Sequence, residues 1–202
     1  MNPELKLYSY RRCPFAIRVR MTLHEKGIPF VTIEEDLKNL SPELRKLHPE
    51  AKVPLLVHGD CVVYESAIIT EYLEDWFPSP ALMPFTAHDR AKVRLWTHWC
   101  NQHFKPHIDH FKYGTSRSTP DLVEQAPKHL NADLTKLESR LEHHTWLVGE
   151  HFGLADIHVF PFYRQLSITT PPLTTIDDFP KTKAWFEQIC LRNAFEKTMH
   201  KE

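Results

Sequence analysis

From residue 5 to residue 76 short β-like and helix-like stretches alternate, and the alternation stops at Phe77–Pro84, where Pro78, Pro80 and Pro84 crowd into a few positions. Each proline fixes φ and removes a backbone donor, so no regular element runs through such a stretch. The chain is thereby divided. A small α/β layer structure precedes the break, and everything after it reads as helical. The expected organisation is a first domain over residues 1–77, a linker over 78–85 and an all-helical second domain over 86–202.

In the first block, Leu5-Lys6-Leu7-Tyr8 alternates as a strand. Pro14 to Lys26 mixes apolar residues with arginines and closes on Gly27, which predicts a helix and its stop. Phe30–Ile33 reads as a second strand. Ser41 followed by Pro42 is an N-cap before a favourable first-turn proline, opening a short helix that runs to Leu47. Val53–Val57 and Cys61–Val63 flank His58-Gly59-Asp60 as a hairpin, and Ser66–Trp76 repeats Ile69, Leu73 and Trp76 at helical spacing. The order is β-α-β-α-β-β-α. In the second block Leu130, Leu134, Leu137 and Leu141 form a buried stripe on one long helix. Further helices are expected at Ala155–Leu166, bent at Pro161, and at Phe179–Leu191 and Ala194–Met199.

Charge excludes some partners. The formal net charge is -1, with 25 Lys and Arg against 26 Asp and Glu, so no global positive field gathers nucleic acid or an anionic membrane. Met1-Asn2-Pro3-Glu4-Leu5-Lys6 lacks a basic segment leading into an apolar one, and no run approaches the roughly 18 apolar residues of a membrane span, which predicts a cytoplasmic protein. Cys13, Cys61, Cys100 and Cys190 are scattered without Cys-x-x-Cys pairs or zinc-ligand spacing, so neither a disulfide framework nor a structural metal is expected. His98, His103, His107 and His110 cluster, and His103 with His107 has the spacing of a metal pair. Pro106 interrupts it and no acidic ligand sits in register, so no metal site is assigned.

Cys13 differs from the other three cysteines. Tyr10-Arg11-Arg12-Cys13-Pro14-Phe15 sets it at a strand-to-helix turn, just before a proline suited to the first helical position. Unpaired amides, the positive end of the helix dipole and two adjacent arginines stabilise a thiolate there, so its pKa is expected to fall. Position 16, where a dithiol oxidoreductase would carry a resolving cysteine, is alanine. A lone activated thiol forms a mixed disulfide with a small thiol, and a second molecule of that thiol must resolve it. Further along, Tyr64-Glu65-Ser66 stands where a strand meets a helix. Ser66 reads as an N-cap, while the helix start and its hydroxyl can receive a carboxylate and Glu65 can pair with an amino group.

Tyr8-Ser9-x-Arg-x-Cys-Pro-Phe-Ala, Glu25-Lys26-Gly27-Ile28, Asp36-Leu37-Lys38-Asn39, Val53-Pro54 and Tyr64-Glu65-Ser66-x-x-Ile-x-Glu-Tyr-Leu resemble the cytosolic glutathione transferases, and among them the cysteine-bearing omega class. The resemblance is close in the first domain and in outline only in the helical half. It implies a thioredoxin-like, glutathione-binding N-terminal domain and a C-terminal helical bundle. It also implies glutathione as co-substrate without a metal, and a homodimer. Cys13 becomes the catalytic thiol, Phe15 and Val53 line the glutathione site, and Glu65 and Ser66 hold the γ-glutamyl end. In thioredoxin-like folds the proline at the place of Pro54 is cis, turning the preceding residue toward the cysteine. The family lysine that reaches glutathione is replaced by Leu40, with Lys38 or Lys52 as substitutes. The buried capping box of the second domain appears as Gly153-Leu154-Ala155-Asp156, where glycine cannot supply its side-chain half.

The leading expectation is a glutathione-dependent thiol transferase that reduces mixed disulfides or small oxidised substrates such as dehydroascorbate, with Cys13 as nucleophile. Two alternatives stand beside it. One is glutathione conjugation to electrophiles, aided by a hydroxyl of Tyr8, Ser9 or Tyr10. The other is a transferase fold retained as a non-catalytic binding or regulatory module.

Overall fold

The computed structural model describes residues 4–201; Met1–Pro3 and Glu202 lie outside the described residues. In chain order the first elements are β1 (Leu5–Ser9), α1 (Pro14–Glu25), β2 (Val31–Glu34), α2 (Pro42–Leu47), β3 (Leu55–His58), β4 (Cys61–Tyr64) and α3 (Ser66–Trp76). They build one mixed sheet in the order β2-β1-β3-β4, with β1 and β2 parallel and the other pairs antiparallel. The sequence places the second strand one residue early, at Phe30–Ile33; Phe30 instead leaves the sheet and meets the His24 ring at 5.2 Å between centroids.

Strand alternation decides the layers. Leu5 and Leu7 of β1 and Leu56 of β3 point to the side where Val19 and Leu23 of α1 and Ile69 and Leu73 of α3 close a core. Tyr8 and Leu55, one residue out of phase, pack on the opposite face against Leu44 of α2. Both inner strands are therefore covered on both faces, and β3, Leu55-Leu56-Val57-His58, reads as a nearly continuous apolar run.

Helix α1 ends as Gly27 requires. Its φ of 64° is the left-handed region, and the Ile28 N–H returns to the Leu23 carbonyl at 3.0 Å, closing the helix and seating Ile28 in the core. At the same end the buried Lys26 ammonium meets Glu74 of α3 at 2.7 Å and donates to the Pro80 carbonyl at 2.6 Å. Glu74 also accepts from the backbone of Leu82 and Met83. One ion pair thus locks α1 to α3 and fastens the proline-rich segment across them. Ser41 caps α2 as its sequence predicts, accepting from the Leu44 N–H at 3.2 Å.

The remaining elements are α4 (Ala87–Trp99), continued through a π-turn at Cys100–Phe104 into α5 (Lys105–Tyr113), then α6 (Pro120–Leu141), α7 (Leu154–Ser167), α8 (Pro180–Cys190) and α9 (Asn193–Met199). The chain forms two compact units, one running to Met83 and resuming at Arg192, the other spanning Pro84–Leu191. In the helical unit Leu130, Leu134, Leu137 and Leu141 are all buried, as their spacing predicts, and α7 is buried from Leu154 to Tyr163. The cap of α7 rests on Asp156 alone. Its carboxylate accepts from the N–H groups of Gly153 at 3.2 Å and Leu147 at 3.0 Å, and from the Trp185 indole at 2.8 Å. Burial pushes the Asp156 carboxyl up to about 6, and these donors oppose the rise. Among the described residues no helix is long and apolar enough to cross a membrane.

Two measurements follow. Removing one partner of the buried pair leaves the other charge uncompensated, so Glu74→Ala should lower unfolding stability by about 3–5 kcal/mol in urea titrations, whereas the Lys26→Met/Glu74→Leu pair should lose much less. Equal losses for both would contradict the buried-pair account. For Asp156 the folded-state pKa lies above the ordinary 3.8, so the folded protein binds the extra proton. The stability from this group is complete below about pH 4 and declines as pH rises through about 6. Asp156→Asn should flatten that decline between pH 4.5 and 6.5; a decline unchanged in the variant assigns it to other groups.

Candidate active site

Cys13 is the N-cap of α1, in extended conformation, and its side chain makes no capping bond to the helix. Its own N–H donates to the Tyr10 carbonyl at 2.9 Å and its carbonyl accepts from Ile17 at 2.9 Å, so the backbone on both sides is fixed. The first-turn amides that no helical carbonyl reaches lie at this end of α1. The thiol is partly exposed, and its Sγ lies 3.9 Å from the Val53 carbonyl, the outer limit of a sulfur hydrogen bond. The Val53–Pro54 bond is cis. The structure therefore brings Cys13 and Val53 together from segments 40 residues apart.

The beginning of α3 differs from the sequence expectation. Its N-cap is Glu65, and Ser66 is the first helical residue. Glu65 has φ of 67°, a left-handed conformation that costs a residue with a Cβ about 1–2 kcal/mol. It stands exposed at the helix start, while Ser66 beside it is buried. The Ser66 hydroxyl accepts from the Arg18 guanidinium at 3.2 Å, and that guanidinium also lies 5.2 Å from the Phe15 ring centre. One buried arginine on α1 thus touches two of the predicted site residues.

The two substitute lysines separate. Lys52, next to Val53, is ion-paired with Glu50, and the nearby Glu65 carboxylate adds to the upward shift that Glu50 imposes on its ammonium. Lys38 stands exposed in the turn after β2, where its N–H closes onto Asp36 at 2.9 Å. Leu40 has a structural occupation, packing with Tyr8, Leu44 and Leu55 under the sheet. Of the hydroxyls considered for conjugation, that of Ser9 is buried and takes a short hydrogen bond from Arg20, and Tyr8 is buried in the same packing cluster as Leu40.

Arg20 is the residue that sequence reasoning missed. Although 4% exposed, it donates to the Ser9 hydroxyl and to the carbonyls of Tyr10, Arg11 and Thr198, binding the loop before Cys13 to the second half of α1 and to α9. Burial brings its guanidinium down to about 10, Glu34 and Cys13 draw it up, and Arg11 lowers it. The fold-back of the last helix is reinforced by Arg192, whose guanidinium grips both Glu25 carboxylate oxygens at 2.6 and 2.8 Å, and by Arg11, which donates to the Met199 carbonyl. A sequence signal existed for the arginines only. Arg18 and Arg20 interrupt Ile17, Val19 and Met21 without a polar stripe, which marks a helix covered all round.

Among the other cysteines, Cys61 is exposed on β4, Cys100 is buried, and the Cys190 thiol is pushed up to about 11, chiefly by burial. In the histidine group, the missing acidic neighbour comes from a distant helix. His107 meets Asp133 of α6 at 2.7 Å and lies against the His129 ring at 4.6 Å between centroids, while His110 meets Ser118 at 2.6 Å. Among the described residues no three metal-ligating side chains converge.

Comparison with known proteins agrees across nearly the whole chain. Family models for the glutathione S-transferase N-terminal and C-terminal domains match residues 7–81 and 96–193. A probable glutathione S-transferase of Solanum tuberosum is 31% identical over 195 residues, covering 94% of this chain and 88% of that protein. A stringent starvation protein A homolog of Haemophilus influenzae is 30% identical over 191 residues, covering 95% of this chain and 88% of that one. The solved apo structure of glutathione S-transferase III superposes with a TM-score of 0.80 at 32% identity, covering 96% of this chain and 95% of that one. With its thioredoxin-like sheet, its helical second unit and these matches to both halves, the chain belongs to the glutathione S-transferase family.

Proposed function

We propose that this family member is a glutathione-dependent thiol transferase of the omega-like kind, with Cys13 as its nucleophile. The observation that carries the reading is the place of Cys13. It is a partly exposed thiol at the N-terminus of α1, within reach of the Val53 backbone. Ala16, one turn on, is fully buried and offers no second thiol. Phe15, Val53, Glu65 and Ser66 provide the glutathione site, the amides at the start of α3 receiving the γ-glutamyl carboxylate and Glu65 its amino group. The left-handed backbone at Glu65 supports that role, since strain of this kind is retained where it presents a group. Lys52, electrostatically coupled to Glu65, is the better substitute for the absent family lysine, and Lys38 the second choice.

The Cys13 thiolate attacks the glutathione sulfur of a mixed disulfide. The Cys13–glutathione bond forms as the old S–S bond breaks, and the substrate leaves as a thiolate that takes a proton from water. A second glutathione thiolate then attacks the glutathione sulfur, releasing oxidised glutathione and regenerating Cys13. With dehydroascorbate as substrate, two glutathione molecules supply the two electrons. A conjugating reading has support from the names of the plant relatives, whereas buried Ser9 and Tyr8 weaken it. A relative named a stringent starvation protein A homolog, and not a transferase, supports the non-catalytic alternative instead. A second copy of the chain is the proposed partner, since β4 and α3 leave Val62, Tyr64, Ile68 and Trp76 exposed.

Glutathione-dependent reduction of hydroxyethyl disulfide should fall by about a hundredfold or more in Cys13→Ala, and conjugation of chlorodinitrobenzene should stay low in the wild type. Full reduction by Cys13→Ala refutes the mechanism, and wild-type conjugation without reduction establishes the conjugating alternative. Neither activity in a wild type that binds glutathione favours the binding module. Sedimentation at micromolar concentration should return a dimer that Trp76→Glu weakens; a wild-type monomer refutes the partner.

A further inference from the structure

The charges of this chain nearly cancel, yet one cleft within the first unit does not share that balance. It has a volume of about 770 Å³, within the ordinary range for a small-molecule site. The loop before Cys13 contributes Tyr10, Arg11 and Arg12 to one wall. Arg20 and His24 of α1 form the back, and Phe30, Thr32 and Glu34 line the β2 side. The returning C-terminal segment closes it with Lys197, Thr198, His200 and Lys201. The described lining thus carries five fixed cations and one carboxylate, Glu34, which already accepts from the Arg11 N–H at 2.7 Å. Among the described residues Arg12, Lys197 and Lys201 have no carboxylate within ion-pair distance.

Two further observations favour an anionic acceptor in this cleft. Thr198 is 2% exposed, and its hydroxyl oxygen is buried without a hydrogen-bond partner among the described residues, an arrangement that native proteins rarely leave unexplained. His24, half-buried against Phe30, is held below the ordinary histidine range first by burial and then by Lys197 and Arg20. Positive charge is in excess at the back of the cleft. Arg11 and Arg12 from the loop add to it, His200 and Lys201 stand at the closing segment, and among the described lining residues Glu34 alone opposes it.

We propose that this cleft binds a phosphate ester or diphosphate carrying a planar organic group, separately from the Cys13 site. Phosphate oxygens accept from the Thr198 hydroxyl, the lysine ammonium groups and the arginine forks together, and their charge answers the local excess. Tyr10 on the loop side and Phe30 on the β2 side offer aromatic surfaces for the organic part. The cleft is walled by loop, helix, strand and terminal segment, and the chain as a whole lacks the positive field of a polymer-binding surface.

Calorimetry on the full chain with adenosine diphosphate, inorganic pyrophosphate and sulfate tests the proposal. Adenosine diphosphate should bind below about 1 mM and at least about threefold tighter than pyrophosphate, with sulfate weaker than either. The exposed pair Lys197→Glu/Lys201→Glu should lose about tenfold or more, while Lys197→Arg/Lys201→Arg retains binding and both keep the wild-type melting profile. In proton NMR the His24 ring should titrate at higher pH when adenosine diphosphate is bound, because the phosphate offsets Lys197 and Arg20. Saturation with S-hexylglutathione should leave adenosine diphosphate binding intact. The proposal is overturned if neither phosphate probe saturates by about 10 mM, if the charge-reversed pair binds within about twofold of wild type, or if S-hexylglutathione displaces the probe.

Discussion

Two arginines that α1 buries tie together the loop before Cys13, the start of α3 and the last helix. A buried guanidinium needs fixed acceptors for its donors, and the acceptors met here are those of the loop before Cys13 and of the start of α3. Arg20 gathers the Ser9 hydroxyl and the carbonyls of Tyr10 and Arg11, the loop that delivers Cys13 to the helix start. Arg18 meets Ser66 and lies by Phe15. Removing these bonds would leave buried charge without partners and free the loop in the same step. Stability and site geometry rest on the same atoms here.

The C-terminal segment depends on this arrangement as well. Its helix returns to the first unit because Arg20 reaches the Thr198 carbonyl, Arg11 the Met199 carbonyl, and Arg192 the Glu25 carboxylate. With that return comes the basic cleft, whose walls are otherwise ordinary surface of α1 and β2. The turn that presents Cys13 and the cationic recess both depend on Arg20, which donates to the loop before Cys13 and lines the recess. The two are chemically distinct. Cys13 looks toward the Val53 backbone on β3's side, whereas the cleft opens over the outer strand β2.

Much of the fold was legible in local signals. Gly27, the Ser41–Pro42 pair and the leucine stripe from Leu130 each mark an element by a mechanism that acts within a few residues, and each appears where that mechanism puts it. The Cys13–Pro14 pair fixes the thiol at a helix start for the same reason. Local rules were weaker where a longer-range contact competed. Phe30 reads as strand but packs against the His24 ring, and Ser66 reads as a cap although the left-handed Glu65 takes that position. Leu40 looks like a lost lysine until its packing under Tyr8 is seen.

The sequence by itself determined the thioredoxin-like order of elements, the helical second half, the single thiol at a helix N-terminus and the family that these features resemble. Tertiary structure alone decided which groups surround them. Arg20 meets Thr198 across 178 positions, Lys26 meets Glu74 across 48, and His107 finds Asp133 on another helix. Periodicity and capping record what a segment requires of its immediate neighbours, whereas the partner of a buried charge is set by chain closure in three dimensions. A buried arginine declares in sequence that it needs acceptors, and only the folded chain names them.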